Sequence, residues 1–143
     1  LIMTSFGYIA LYEYVKSYSS TYGIILLISL VLLMVSGTAH HVFCGVVEWF
    51  YIRLGRTEEA REAILEFFKK TISTMYVSFL GAIAFSITLF IALISGITPL
   101  PTWTCVFNCI IFFIALFPFR IVGSFNIASA LTFLSLFITL CII

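Results

Sequence analysis

The sequence predicts an all-α membrane protein: a bundle of four transmembrane helices with an amphipathic cytoplasmic connector helix. Three observations carry that expectation. Of 143 residues, 63% are hydrophobic and 9% charged, and the mean hydropathy is +1.24; a soluble domain needs far more charge on its surface. The charges are also segregated. None occurs in 17–47, 71–119 or 121–143, stretches of 31, 49 and 23 residues. A helix needs about 20 apolar residues to cross a hydrocarbon core of roughly 30 Å, so the first and third stretches each fit one span and the second fits two. Finally, the apolar runs, such as 24–33 and 110–117, do not alternate with polar residues as barrel strands do. In lipid, a helix satisfies its backbone hydrogen bonds within one segment.

The elements follow in order. Residues 1–16 are apolar and aromatic and are expected to be the tail of an earlier span or an interfacial helix. The first span is expected at about 22–47. The connector, 48–70, holds most of the charge. Thr57 is placed to cap a helix, with Glu58 and Glu59 in the first turn near the positive end of its dipole, and Glu66 and Lys70 are spaced to pair. Ala60, Ile64, Phe67 and Phe68 share a side, which predicts a helix on the membrane surface or a solvated extension of the second span. That span is expected at 71–95, ended by Gly96, Pro99 and Pro101. The third is expected at 102–117, and the fourth at 121–143 after a turn marked by Pro118, Arg120 and Gly123. One domain covers 1–143.

Orientation follows from the basic residues. Arg53, Arg56, Arg61, Lys69, Lys70 and Arg120 fall in the connector and the third turn; Lys16 alone falls on the other side. The connector is therefore expected in the cytoplasm.

The net charge of +1 and the lack of a basic stripe argue against a nucleic-acid partner. The four cysteines, Cys44, Cys105, Cys109 and Cys141, fall within expected spans and read as small apolar packers. Ser78, Ala82 and Ser86 form a small-residue face suited to helix packing.

The most informative stretch is 37–48. Gly37, His41, Cys44 and Glu48 lie along one helical stripe, and His40 shares a face with Cys44. Ionisable groups in a span usually face the bundle interior or a wet cavity. Matched by depth from the inner boundary, His40 or His41, Ser78 and Asn126 make one polar layer, and Glu48 and Arg120 lie where they can pair or reach headgroups separately. His40, His41, Glu48, Ser78, Arg120 and Asn126 are therefore the candidate ligand-binding residues. Their bland alternative is hydrogen-bonded glue between helices. No catalytic set, metal centre or cofactor is predicted: Glu48 lies seven residues from His41, and no second Cys/His cluster accompanies His40 and Cys44.

Pro101-Thr102-Trp103, Asn108, and Gly123-Ser124-Phe125-Asn126-Ile127 running into an apolar helix resemble the last two spans of uncharacterised bacterial multi-pass membrane proteins. The resemblance covers the last third of the chain. It implies a bacterial inner-membrane location and no known activity. The function expected is binding of a membrane lipid, a small hydrophobic ligand or a partner span, in a homo-oligomer or with another membrane protein. The alternatives are a small transporter or channel subunit, and a membrane-embedded lipid-modifying enzyme using His41 and Glu48 as acid–base groups.

Overall fold

The computed structural model describes residues 2–121 and 123–142. It is 88% helical and has no strands among those residues. Among the described residues, three helices are long and apolar enough to cross a membrane: α2 (Ser20–Arg53), α3 (Glu58–Ile94) and α5 (Ser124–Ile142). Before them lies α1 (Ile2–Tyr18). Between α3 and α5 come a short 3₁₀ turn (Thr102–Val106), α4 (Cys109–Leu116) and a second 3₁₀ turn (Phe117–Phe119).

The α1–α2 pair is a tight antiparallel hairpin. Ser19 alone leaves the helical conformation, at φ −151 and ψ 111, and the Ser5 hydroxyl reaches Met34 Sδ at 3.2 Å. Gly23 lets the arms close, because a Cβ there would lie 2.7 Å from Lys16 Cβ. Tyr8, Leu11 and Val15 are buried, so the N-terminal stretch is an integral part of the bundle.

The second hairpin, α2–α3, is the spine of the fold. Thr57 caps α3, its Oγ1 accepting from the Ala60 N–H at 3.2 Å, with Glu58 and Glu59 in the first turn. The helix then runs without a break to Ile94. The connector is therefore continuous with the apolar part of α3, not a separate element. At 1.5 Å per residue α3 is about 55 Å long, so its charged first third extends past the hydrocarbon thickness. Further along α3, it and α2 touch backbone to backbone: a Cβ on Gly81 would lie 2.5 Å from Leu33 N and 2.7 Å from Ser29 O. Gly96 ends α3 with φ +67, its N–H donating to Leu93 O and that of Ile97 to Ala92 O, a left-handed cap suited to glycine.

The expected third span at 102–117 is not one helix. Asn108 interrupts it with extended backbone, φ −126 and ψ 137, and caps α4. The cap has two halves. Asn108 Oδ1 accepts from the Ile110 N–H at 3.1 Å, and Nδ2 donates to Ser86 O at 2.8 Å. Ser86 lies eight residues before the end of α3, so the break sits about 12 Å inside the bundle. Irregular backbone at that depth is tolerated only when protein encloses it; Thr104 and Asn108 are buried accordingly. From Cys109 the apolar helix extends only to Phe119, about 16 Å, or half the hydrocarbon thickness. The chain then turns through Arg120, at φ +50, into α5.

Helices α1, α3, α4 and α5 meet at Tyr8. Its ring stands edge-on to Phe85 and to Phe133, with centroids 4.9 Å apart in each case. Its hydroxyl lies 2.8 Å from Ser129 Oγ and 3.8 Å from Cys109 Sγ. Ser129 Oγ also donates to Phe125 O at 3.0 Å. Outward, α2 shows Ile24, Ile28, Val31 and Val35, α3 shows Leu80, Ile83 and Ile87, and α5 shows Leu134 and Phe137, all exposed. Aliphatic chains offer such a surface what water cannot. Inside the bundle, close packing of small residues and hydrogen bonds between helices do the joining.

Candidate functional site

The expected polar layer resolves into separate places. His40, half-buried on α2, bridges to α3: its Nδ1 is 3.4 Å from Thr74 Oγ1. One turn further along α2, Cys44 Sγ lies 3.6 Å from His40 Nε2. The Thr74 hydroxyl donates its proton to Thr71 O at 2.7 Å, so its lone pair faces Nδ1–H. In the neutral ring that leaves Nε2 bare and turned toward the thiol. His41 points elsewhere: its side is exposed, and its ring centroid is 6.3 Å from that of His40. His40, with its polar partner on a second helix, thus meets the hydrogen-bonding need of an imidazole in a span.

Ser78 stands one helical turn past Thr74 and donates to Leu33 O at 3.1 Å. A Cβ on Gly37 would lie 2.8 Å from Ser78 Oγ, so this part of the layer is close packing, not a cavity. Asn126 reaches a similar depth, since its neighbour Phe125 contacts Phe79 with centroids 6.5 Å apart, but its own side chain is exposed. Equal depth does not fix which way a side chain faces.

Glu48 and Arg120 do not pair. The three ion pairs among the described residues, Glu13–Lys16, Glu58–Arg61 and Glu66–Lys70, each lie within one helix. Glu48 flanks a groove between α2 and α3 with Ile64, Leu65 and Phe68, whereas Arg120 lies with Phe113, Phe117 and Ser124. The α4–α5 turn ends beside Phe79, eleven residues along α3 from Phe68, or about 17 Å. The shortened third segment is the reason: it turns back before reaching the charged end of the spine.

Two features escaped the sequence reading. Asn108 heads an unbroken apolar run, which is an N-cap signature. The Tyr8–Ser129–Cys109 cluster joins residues up to 121 positions apart, and no local pattern could have brought them together. Two surface grooves remain. An apolar groove of about 450 Å³ lies between α1 and α5, lined by Gly7, Ala10, Leu11, Tyr14, Phe133 and Phe137 among others. The α2–α3 groove beside Cys44 holds about 460 Å³. No group of three or more His, Cys, Asp or Glu suited to a metal occurs among the described residues.

The sequence matches a known grouping along nearly its whole length: the family of unknown function DUF6796 matches residues 1–142. The chain belongs to DUF6796. The match takes in α1 and the broken α4 segment as well as the long helices, so all of them fall within what defines a DUF6796 chain. No curated protein and no solved structure matches it.

Proposed function

We propose that this DUF6796 chain is a non-catalytic, multi-pass membrane protein that holds an acyl chain of a membrane lipid between α1 and α5. The observation that carries this reading is the groove of about 450 Å³ with apolar walls. Its size falls within the range of small-molecule sites. It opens sideways among exposed Leu134 and Phe137, where lipid tails have direct access. Gly7 sets its depth, because a Cβ there would lie 2.6 Å from the Phe133 ring.

An enzymatic role for His41 and Glu48 has less support. Both are exposed, and they lie about 10 Å apart along one helix. A transport path has less support too, because the buried polar groups Tyr8, Ser129 and Asn108 are engaged with one another or with backbone. The six-to-one distribution of Lys and Arg supports a cytoplasmic connector, and the resemblance of the last third supports a bacterial inner membrane. The exposed apolar faces also suit a second copy or a partner span.

A phospholipid with a photoreactive acyl chain tests the groove. In vesicles, adducts should concentrate at Ala10, Leu134 and Phe137, and Ala10→Trp should remove most of them by filling the groove. Adducts spread evenly over the outward faces, Ile24 to Val35 of α2 included, and unchanged in Ala10→Trp would refute the proposal.

A further inference from the structure

We propose that Cys44 is an acyl-acceptor site, activated by His40, that takes a fatty acyl group from an acyl thioester and lays its chain in the α2–α3 groove. The three side chains form a nucleophile–base–orienter series. Cys44 Sγ lies 3.6 Å from Nε2 of His40, within reach for proton transfer from a thiol. Nδ1 of the same ring is held by Thr74 Oγ1 at 3.4 Å, and Thr74 is itself fixed on Thr71 O at 2.7 Å. A nucleophile next to a base that a third group orients is the arrangement that makes thiols reactive in acyl transfer. Each nitrogen of this ring has a neighbour, Thr74 Oγ1 at Nδ1 and the Cys44 thiol at Nε2.

The groove selects the substrate. Cys44 stands at its edge beside Val47, Ile64, Leu65 and Phe68, with Glu48 and Arg61 at the rim. The apolar lining fits a hydrocarbon chain, and the charged rim marks the level where hydrocarbon gives way to water, at which a soluble acyl thioester can deliver its carbonyl. Cysteines near such a boundary are the ones that accept acyl groups. In the reaction, the Cys44 proton passes to His40 Nε2 as sulfur attacks the thioester carbonyl carbon. The carbon's bond to the donor sulfur then breaks, and that sulfur leaves with the proton from the imidazolium. Cys44 carries the new thioester, the donor is released as a free thiol, and no oxidant or reductant is consumed.

The purified full chain in detergent, incubated with palmitoyl-coenzyme A, tests this. Cys141 is the internal reference: it is exposed and on the described surface of α5, whereas Cys44 is half-buried. Peptide mapping should find the acyl group, removable by neutral hydroxylamine, at Cys44 well before Cys141. Acylation that follows exposure, with Cys141 first, overturns the proposal without any variant. In folded His40→Gln, judged by helical content and unchanged Cys141 reactivity, the Cys44 rate should fall about a hundredfold, the range for a lost general base. Thr74→Val should lower it less, by freeing the ring. An unchanged Cys44 rate in His40→Gln also overturns it.

Discussion

Gly81→Leu should be the most damaging single substitution in the spine. At Gly81 the first side-chain atom would meet backbone, Leu33 N at 2.5 Å and Ser29 O at 2.7 Å, and backbone within a helix cannot step aside as a flexible side chain can. The two helices must separate, which loosens the Ser78–Leu33 bond and the packing of Leu30 and Leu33 against Phe85 and Leu89 in the core. Overpacking of this kind costs about 1–3 kcal/mol and more where the backbone is involved. Even Gly81→Ala should lower stability, although alanine gains up to about 1 kcal/mol over glycine in helix propensity. Gly45, on the same spine with open space around its position, is the control: Gly45→Ala should be neutral or slightly stabilising. Thermal unfolding in detergent, followed by helical signal, compares them. Equal midpoints for Gly81→Ala and Gly45→Ala would show that α2 and α3 do not approach as closely as described.

Asn108→Ala should be the second large loss. It removes the cap on Ile110 and the buried bond to Ser86 O together. A lost N-cap costs about 1 kcal/mol, and a buried acceptor, here Ser86 O, left without its side-chain donor about 1–3 kcal/mol, so a loss of about 2–4 kcal/mol is expected. Asn108→Ser separates the parts, since serine can cap the helix but cannot reach Ser86; it should recover roughly the cap's share. Protease sensitivity in 102–116 should rise in the same order. If Asn108→Ala unfolds with the wild type, the break in the third segment is held by something other than this residue.

Much of the fold was legible because it depends on local rules. The charge-free stretches located α2, α3 and α5 to within a few residues at most ends. Thr57 and Gly96 marked the boundaries of α3 by the chemistry that caps helices. The third segment was misread because its composition is uniformly apolar. Hydropathy reports that a stretch prefers lipid; it does not report whether the helix is continuous, and one Asn decided that. The site was less legible. Residue depth was the only guide the sequence offered to Ser78 and Asn126, and the rotation of α5 about its axis, which turns Asn126 outward, is set by packing of Ala128, Ser129 and Thr132 against the other helices. Glu48 and Arg120 failed to meet for a related reason, because the shortened return holds Arg120 short of the charged end. His40 and His41 were singled out together by their cost in lipid, and that it is His40 that meets Thr74 became visible only once α2 and α3 were paired.

The central claim is that the α2–α3 hairpin crosses the membrane and carries its charged end to the cytoplasmic face. Single cysteines introduced at Ser20, Glu59 and Ser95 in a chain lacking its four native cysteines address it directly, since all three positions are exposed and lie outside the apolar stretches or at their ends. An impermeant maleimide added to intact cells should label Ser20→Cys and Ser95→Cys, and should reach Glu59→Cys only after the membrane is opened. Ready labelling of Glu59→Cys from outside, or labelling of all three positions from the same side, would contradict it.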